Sequence, residues 1–453
     1  MKDKLTEALK KSTADYAEIR VEKLDTTNLS YRGREVESAA TSNRVGGIAR
    51  ACKNGGWGIV TFETLDELGD RVAEACKCAA LVGKEKTELA KLAPVDAEST
   101  ARFENDFRGV PLDQKLKLIE KYNAILLESA PSIESSQAFY QDSFRTASFA
   151  STHGHYFTAE RPRVICVLAA VARNGALVQS AHESWSSATD YDVVLGHEAV
   201  AEEISRRASN LLKAPKPDGG PTTIIMDHMM GGVFIHEAFG HMSEADFLHE
   251  NPPVRKLMHI GRDIGARHLN VVDEGSHPDS IGTSPYDDEG TPTGKTYLIT
   301  DGVLTAHLHN LESAAKMDAT PTGNARAQDA GHPPIVRMTN TYIEPGKLSV
   351  DDLFADVDNG IYACGTRGGQ TTLENFNFTA AYGYSIRGGK KAELLRDVSF
   401  SGNLFETLKS VDGLADDFKL IQAAGGCGKG GQGAPVGFGA PHVRIRNVVV
   451  GGG

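Results

Sequence analysis

The sequence of 453 residues contains no run of 18 apolar residues, which is the length that a membrane-spanning helix needs. Its first residues, MKDKLTEALKKS, are charged and lack the apolar centre of an export signal. No basic tract occurs, and the formal net charge is −12. An acidic chain of this kind is poorly suited to direct binding of nucleic acid or of an anionic membrane. These absences predict a cytoplasmic protein that contacts neither nucleic acid nor membrane.

Cysteine is also scarce. The chain has six cysteines, scattered and without C-x-x-C spacing, and in a cytoplasmic protein we expect them to be reduced thiols, most of them ordinary core residues. Glycine, by contrast, is abundant, with 47 residues, and a dense share of it lies in 425–453. One cysteine, Cys427, lies inside this glycine-rich segment, in the sequence GGCGKGGQG.

The first half of the chain alternates between strand and helix patterns. Alternating apolar residues predict an antiparallel meander over 16–63, and helical spacing follows over 65–82. Further helices are predicted over 113–128 and 196–213, with several strands between them. This order of strands and helices fits two halves, each a sheet with helices, although the sequence itself shows no repeat.

A proline- and glycine-rich stretch, APKPDGGP (214–221), is the clearest boundary in the chain. Beyond it the sequence becomes rich in short strands and long polar loops. We therefore predict an α+β protein, with an N-terminal α/β layer domain over 1–215 and a β-rich C-terminal domain over 222–453.

The motif HEAFGH (236–241) is the chemically most informative part of the sequence. In the zinc-protease motif H-E-x-x-H, two His four residues apart share one helix face and the Glu is the general base. Here His236 and His241 are five residues apart, which on a regular helix separates them by about 140°. We therefore predict a π-type turn across the motif, eased by Gly240, because such a turn would bring both rings to one ion.

The flanking residues predict how this motif is held. Residues 222–226 read as a short buried strand, Gly231 and Gly232 as the turn after it, and Pro252 with Pro253 as the end of the motif helix. His228, just before the glycine pair, is predicted to be a hydrogen-bonded structural residue and not a ligand.

A catalytic zinc site requires a third protein ligand and an open position for water. Spacing leaves two kinds of candidate open. One is a nearby carboxylate, Glu244, Asp246 or Glu250. His249 is two turns further on, where a helix carries it roughly 12 Å along its axis, too far for the same ion. The other is Cys427, whose glycine neighbours allow close approach and whose neighbour Lys429 would favour the thiolate. Two His and a Cys favour zinc among the divalent metals.

Several parts of the sequence together carry a resemblance to a known family. They are the motif at 236–241, the glycine-flanked Cys427 and three segments, PYDDEGTPTGKTYLITDGVL (285–304), AGHPPIVRMTNTYIEPG (330–346) and GIYACGTRGGQ (360–370). In these parts the chain resembles the TldD/PmbA family, in its metal-bearing, TldD-like branch. The resemblance covers nearly the whole chain. One departure is that the chain is slightly short for this branch around residues 84–108.

The resemblance implies a zinc metallopeptidase that cleaves unfolded or short peptides within a closed cavity. It implies that His236, His241 and Cys427 bind Zn²⁺ and that Glu237 is the general base. It further implies a dimer, either with itself or with a PmbA/TldE-like subunit that lacks the metal motif.

A different class of function stays open from the sequence. The protein could be a peptide-binding or maturation partner in which the metal is structural. A closed four-ligand site would favour that interpretation, whereas a Glu237 free of the metal favours the enzyme. The group that would stabilise an oxyanion is not identifiable from the sequence; His307, His309, Arg326 and Arg367 are the candidates, each more consistent with an ordinary structural role.

Overall fold

The computed structural model describes residues 1–85, 87–278 and 280–451. The N-terminal part, up to residue 211, consists of long antiparallel strands with helices on one face. Its helices are α1 (Lys2–Leu9), α2 (Leu68–Val82), α3 (Leu112–Glu128) and α4 (Glu198–Leu211). Its strands are β1 (Tyr16–Arg32), β2 (Glu35–Lys53), β3 (Gly56–Phe62), β4 (Asp96–Ser99), β5 (Ile133–Ser151), β6 (Tyr156–Asn174) and β7 (Leu177–Ser187).

These strands form one sheet in the order β3-β2-β1-β5-β6-β4, with β7 also paired to β6. The chain twice runs through a helix, three antiparallel strands and a helix, first as α1-β1-β2-β3-α2 and then as α3-β5-β6-β7-α4. The predicted meander and the two halves are thus both present. The strands are longer than their sequence patterns indicated, because β1 and β2 continue through their polar middle sections as one extended hairpin.

The two faces of this sheet differ in character because successive strand residues point to opposite sides. On β1, Ala17, Ile19 and Val21 join the apolar core that packs against α1 and α2. Glu18, Arg20 and Glu22 alternate with them and are buried on the other face. That charged face is covered by loops of the C-terminal half.

Buried ion pairs connect the charged face to these loops. Arg50 lies 2.8 Å from Glu18 and 3.3 Å from Glu289, and Arg161 lies 2.9 Å from Asp288. Arg20 donates to the backbone oxygens of Asp329 and His332, both at 2.9 Å. Because a buried charge without a partner is costly, these pairs fix the C-terminal loops against the sheet.

The C-terminal part contains six helices within the described residues and many short strands. The helices are α5 (His228–Ala238), α6 (Ala245–Glu250), α7 (Pro252–Leu257), α8 (Leu311–Lys316), α9 (Val350–Ala355) and α10 (Leu404–Lys409). The first strands are β8 (Gly220–Met226), β9 (Val271–Glu274), β10 (Lys295–Thr300), β11 (Val303–Leu304), β12 (Ala325–Arg326), β13 (Ile335–Val336) and β14 (Asn340–Ile343).

The remaining strands follow in two groups. The first group is β15 (Asn359–Cys364), β16 (Gly368–Thr372), β17 (Asn375–Thr379), β18 (Tyr382–Arg387), β19 (Lys390–Leu395) and β20 (Ser399–Asn403). The second group is β21 (Val411–Leu414), β22 (Lys419–Ile421), β23 (Gly426–Lys429), β24 (Gln432–Pro435), β25 (Gly437–Ala440) and β26 (Val443–Gly451).

Two larger sheets of this part enclose helix α5. One has the order β16-β17-β20-β26-β8-β15-β18-β19, and the other the order β11-β10-β9-β14-β25-β22. The mixture of helices and mixed sheets confirms the predicted α+β class. None of the described helices combines the length and the hydropathy needed to cross a bilayer.

Candidate metal centre

Helix α5 leads from strand β8 into the motif. Asp227 caps its N-terminus, since one carboxylate oxygen accepts from the backbone N–H of Met230 at 2.8 Å and the other from that of Gly365 at 2.8 Å. The predicted turn at Gly231 and Gly232 is wrong, because both residues lie inside the helix. A β-carbon on Gly232 would lie 2.9 Å from the backbone nitrogen of Gly439. The glycine pair therefore lets the helix lie directly on β25.

The predicted π-type turn is also wrong. Helix α5 ends at Ala238, Phe239 has φ −118° and ψ −42°, and a short 3₁₀ helix over Gly240–Ser243 carries His241. The break in the helix, and not a widened turn, brings the two rings together, with centroids 5.4 Å apart. Gly240 has a packing role, because a β-carbon there would lie 2.1 Å from the sulfur of Met338.

The structure brings His236, His241 and Cys427 together. One ligand atom from each lies within 4.8 Å of the other two. Cys427 lies on the β23–β24 hairpin, and its sulfur is 3.1 Å from Nε2 of His241. His236 and Cys427 are almost fully buried, with 3% and 4% of their surface exposed. Cys427 is thus the third member of the cluster, in preference to the carboxylates that spacing alone left open.

His236 is the residue whose surroundings fit a metal ligand best. Both of its ring nitrogens are buried and have no hydrogen-bond partner within the described chain. Burial, together with the nearby charges of His241, Arg337 and Arg326, lowers the pKa of His236 well below its usual value. The ring is therefore neutral with an available lone pair, which is the form that binds a metal ion.

His241 is oriented by a carboxylate behind it. Its Nδ1 lies 3.0 Å from Oε2 of Glu244, so that Nδ1–H donates and Nε2 faces Cys427. Burial opposes a charge on His241, but hydrogen bonds to Cys427 and Glu244 outweigh it and raise the pKa of His241 to about 10. A metal ion bound at Nε2 would take the place of the proton on that nitrogen, while Nδ1–H would still donate to Glu244. A carboxylate on the distal nitrogen of a ligating His is the usual outer support of a zinc site.

The carboxylates of this region and Lys429 form that support. Lys429 Nζ lies 3.1 Å from Glu244 and 2.6 Å from Asp246. Burial alone would raise the pKa of Glu244, but hydrogen bonds to His241 and Lys429 outweigh it and lower the pKa. The ammonium group of Lys429 thus contacts the two carboxylates and, at 2.9 Å, the backbone oxygen of Val336. The supporting role of Glu244 could have been recognised from its position three residues after His241.

Glu237 lies beside the cluster, and its carboxylate is not hydrogen-bonded to another side chain of the described residues. Its Oε2 is 3.8 Å from Nε2 of His241, and within the described residues it makes no hydrogen bond. Burial, with a smaller contribution from Glu244, raises the pKa of Glu237 despite the opposing charge of His241. A partly exposed carboxylate of raised basicity next to the cluster is suited to proton transfer.

Arg337 holds the strand that carries Cys427, a feature that sequence spacing did not reveal. Its guanidinium donates to the backbone oxygens of Cys427 and, at 2.9 Å, of Gln432. The arginine is 1% exposed. It therefore ties both strands of the β23–β24 hairpin to the segment that follows β13.

The other candidates from the sequence are not members of this three-residue cluster. Arg367 bonds the side chain of Gln179 at 2.8 Å. His307 and His309 are buried, and burial lowers the pKa of each to about 4. His228 is hydrogen-bonded to Asp417, as predicted, and belongs to a second cluster with Asp417 and His442. Arg326 bonds backbone oxygens of Met338 and Pro435.

The cluster combines the residue types of a metallopeptidase site, and comparison with known proteins points to the same class. Family models described as PmbA/TldA metallopeptidase match over residues 17–80 (domain 1), 105–212 (central domain) and 219–452 (C-terminal domain). The chain belongs to the TldD/PmbA family.

Individual relatives support this assignment. A Synechocystis sp. protein named metalloprotease is 39% identical over 443 residues, covering 97% of this chain and 96% of the relative. A Saccharolobus solfataricus protein named zinc metalloprotease TldD homolog is 31% identical over 344 residues, covering 75% of this chain and 76% of the relative. The crystal structure of TldE from Thermococcus kodakarensis superimposes with a TM-score of 0.78 at 19% identity, covering all of both chains, and so shares the fold.

Proposed function

We propose that this protein is a zinc-dependent metallopeptidase that hydrolyses unfolded or short peptides, with His236, His241 and Cys427 as zinc ligands. The observation that carries the proposal is the pair of buried, unpartnered nitrogens on His236, next to the ring of His241 and the sulfur of Cys427. Leaving a buried polar atom unpaired costs about 1–3 kcal/mol, and a metal ion would remove this cost for the nitrogen to which it binds. Two imidazoles and one thiolate suit zinc.

Zinc in this site would polarise the scissile carbonyl and lower the pKa of a water bound to it. The chain's own contribution to the reaction is Glu237, which accepts a proton from the attacking water and delivers it to the leaving amine. Three protein ligands leave one position open, as in catalytic zinc sites. The absence of a hydrogen-bonded partner for Glu237 within the described residues favours this role over a structural metal.

The strand edges near the cluster suggest how a peptide is held. Among the described strands, β23, which carries Cys427, pairs only with β24, and β16 pairs only with β17. Strand β15 is paired on both sides and is therefore not available. An extended peptide could add to a free edge through main-chain hydrogen bonds, with little side-chain selectivity. Backbone N-methylation of the peptide should then reduce cleavage, and an unchanged rate would exclude this mode.

We extend the proposal to the assembly and the location: a cytoplasmic dimer, formed with a second copy or with a PmbA/TldE-like subunit. Strands β16 and β23, each paired on one side only among the described strands, are edges at which a second subunit of either kind could bind. Size determination of the purified chain, alone and mixed with such a subunit, distinguishes the two.

The decisive experiment combines elemental analysis with cleavage of an unfolded polypeptide, for the native protein and for Glu237→Ala. We expect about one zinc per chain in both, and a loss of activity in the variant of about 10²–10⁴-fold. Glu237→Gln is the matched control, because it keeps the size of the side chain and removes only its basicity. Zinc retained with equal activity in all three would contradict the role of Glu237.

An inactive native protein would be tested next with a PmbA/TldE-like subunit added. Zinc retention without activity in that mixture would favour the alternative function, a peptide-binding protein with a structural metal.

A further inference from the structure

A cavity of about 330 Å³ lies between the charged face of the N-terminal sheet and the C-terminal loops. Its N-terminal wall is built in register: Arg163 on β6 is opposite Ser143 on β5, which is opposite Thr26 on β1. All three side chains line the cavity. The cavity is therefore a built feature of the sheet.

Most of the charged groups around the cavity neutralise one another. Glu22 lies 2.9 Å from Arg20 and is also paired with Arg145. Asp288 lies 2.9 Å from Arg161. Asp287 accepts three backbone N–H groups, and its burial raises its pKa well above the usual value, which favours its neutral form.

Three cavity arginines remain without a carboxylate partner. Within the described residues, Arg102, Arg163 and Arg326 make no ion pair, and Arg326 donates only to backbone oxygens, both at 2.6 Å. Two further lining carboxylates are held by other groups: Glu160 accepts from the backbone N–H of Ala101 at 2.9 Å, and Asp329 lies 2.6 Å from Nδ1 of His332. Among the described residues, no lining carboxylate lies within ion-pair distance of these three guanidinium groups, so that each can take a carboxylate from a ligand. Burial and the neighbouring Arg145 lower the pKa of Arg163, as expected for a cation that lacks a counter-charge.

Arg326 and Pro435 connect the wall of the cavity to the strand pair that carries Cys427. Pro435 lines the cavity and is paired with Gly426, the residue before Cys427. The charge of Arg326 also contributes to the lowered pKa of His236. A peptide bound at the cluster can thus extend a neighbouring residue towards Arg163.

We propose that this cavity is a carboxylate-binding subsite, with Arg163 as its anchor, that selects peptides bearing an acidic side chain or a free C-terminus near the cleaved bond. The inference rests on the proposed peptidase function and specifies its substrates. Arginine is suited to this task because its planar guanidinium donates two parallel hydrogen bonds to a carboxylate. Its side chain is partly buried, so that the charge pair would be shielded from solvent.

The test measures peptide binding and does not depend on cleavage. Zinc-loaded Glu237→Gln protein would be titrated with fluorescent peptides by anisotropy. One pair differs only in a C-terminal carboxylate or amide, and a second, amidated pair only in Glu or Gln at one internal position. We expect about tenfold tighter binding of the acidic member of one pair, the size of effect that a charged hydrogen bond gives. The pair that shows it identifies the source of the carboxylate.

The variant Arg163→Gln assigns the preference to the cavity. We expect the ratio of affinities to fall to about one, and Arg163→Lys to retain part of it, because lysine keeps the charge but not the two parallel bonds. Arg173→Gln is the matched control, since Arg173 lies on the same strand but is exposed and paired with Glu134. It should keep the native ratio.

The inference is overturned if the native side chain at 163 gives no preference in either pair, or if Arg163→Gln retains it. If Arg163→Gln does not fold, the native and Arg163→Lys proteins still decide, because equal ratios in those two exclude a bidentate contact. Cleavage by the native protein without any preference would reject this subsite alone. A preference without cleavage, also after a PmbA/TldE-like subunit has been added, would instead reject the peptidase function.

Discussion

Two histidine clusters stand at opposite ends of helix α5, and both bring three ligand-type atoms within 4.8 Å of one another. At the start of the helix, His228 Nε2 lies 2.8 Å from the backbone oxygen of Asp417 and 3.0 Å from its Oδ2. In the same cluster, His442 donates from Nδ1 to Asp417 at 2.7 Å and accepts at Nε2 from the hydroxyl of Tyr362 at 2.9 Å.

At the far end of the helix, the ring of the buried histidine in the cluster lacks hydrogen bonds among the described residues. Neither nitrogen of His236 has a partner within the described chain, although the residue is buried. The comparison shows that proximity of ligand-type atoms does not by itself indicate a metal site. A cluster whose hydrogen bonds are complete needs no ion, whereas a buried imidazole without partners is the kind of site at which we propose that zinc binds.

The largest difference between the clusters should appear in metal content. We expect His236→Ala to reduce zinc from about one per chain to nearly none and to abolish peptide cleavage, since two remaining ligands hold zinc weakly. His442→Gln, at the other cluster, should leave zinc at about one per chain. Elemental analysis after dialysis against a weak chelator measures both. Loss of zinc in His442→Gln with retention in His236→Ala would reverse the assignment.

Removing the support behind His241 should have a smaller effect. Glu244→Gln takes away the charge that fixes the orientation of the imidazole, and we expect zinc affinity to fall about 10–100-fold. Competition with a chromophoric chelator measures this affinity. Asp417→Asn, which makes the equivalent change at the other cluster, is the control and should leave the affinity unchanged. An equal loss of zinc affinity in both variants would contradict the assignment of zinc to the His236 cluster alone.

The smallest effect concerns stability at the hydrogen-bonded cluster. Burial opposes the charge of Asp417, but hydrogen bonds from the backbone and ring of His442 outweigh it and lower the pKa of Asp417. Because the folded pKa is below the unfolded one, ionised Asp417 stabilises the fold above about pH 4, and this contribution disappears as the pH falls through the folded pKa. We expect Asp417→Asn to cost about 1 kcal/mol near neutral pH.

Thermal or denaturant unfolding of the native and Asp417→Asn proteins at several pH values tests this expectation. The difference between the two should narrow on acidification. A difference that widens instead would show that Asp417 is not the group responsible.

The sequence predicted the strand–helix unit around the motif because local patterns determine it: an apolar strand over 222–226 followed by a helix that carries the motif. It did not predict the end of α5 at Ala238. Directly after this break, Gly240 packs closely against Met338, a contact with a residue far along the chain that the local sequence does not show. For the same reason Gly231 and Gly232 were misread as a turn. Their function is to approach β25, which the local sequence does not show.

The choice between Cys427 and a carboxylate is a similar case. Spacing could not decide it, since His241 and Cys427 lie far apart in the sequence and meet only in the folded chain. The family resemblance favoured Cys427, and the structure places its sulfur beside His241. The charged layer between sheet and loops could not be anticipated either, because alternating charges on β1 also fit an exposed strand face.

The most direct test of the account is the absorption spectrum of the cobalt-substituted protein. If Cys427 binds the metal, Co²⁺ should give a sulfur-to-cobalt charge-transfer band together with the visible bands of a four-coordinate ion. We expect the band in the native protein and in His442→Gln, and its loss in Cys427→Ser. A native spectrum without a thiolate band, or one unchanged in Cys427→Ser, would contradict the assignment of His236, His241 and Cys427 as the metal centre.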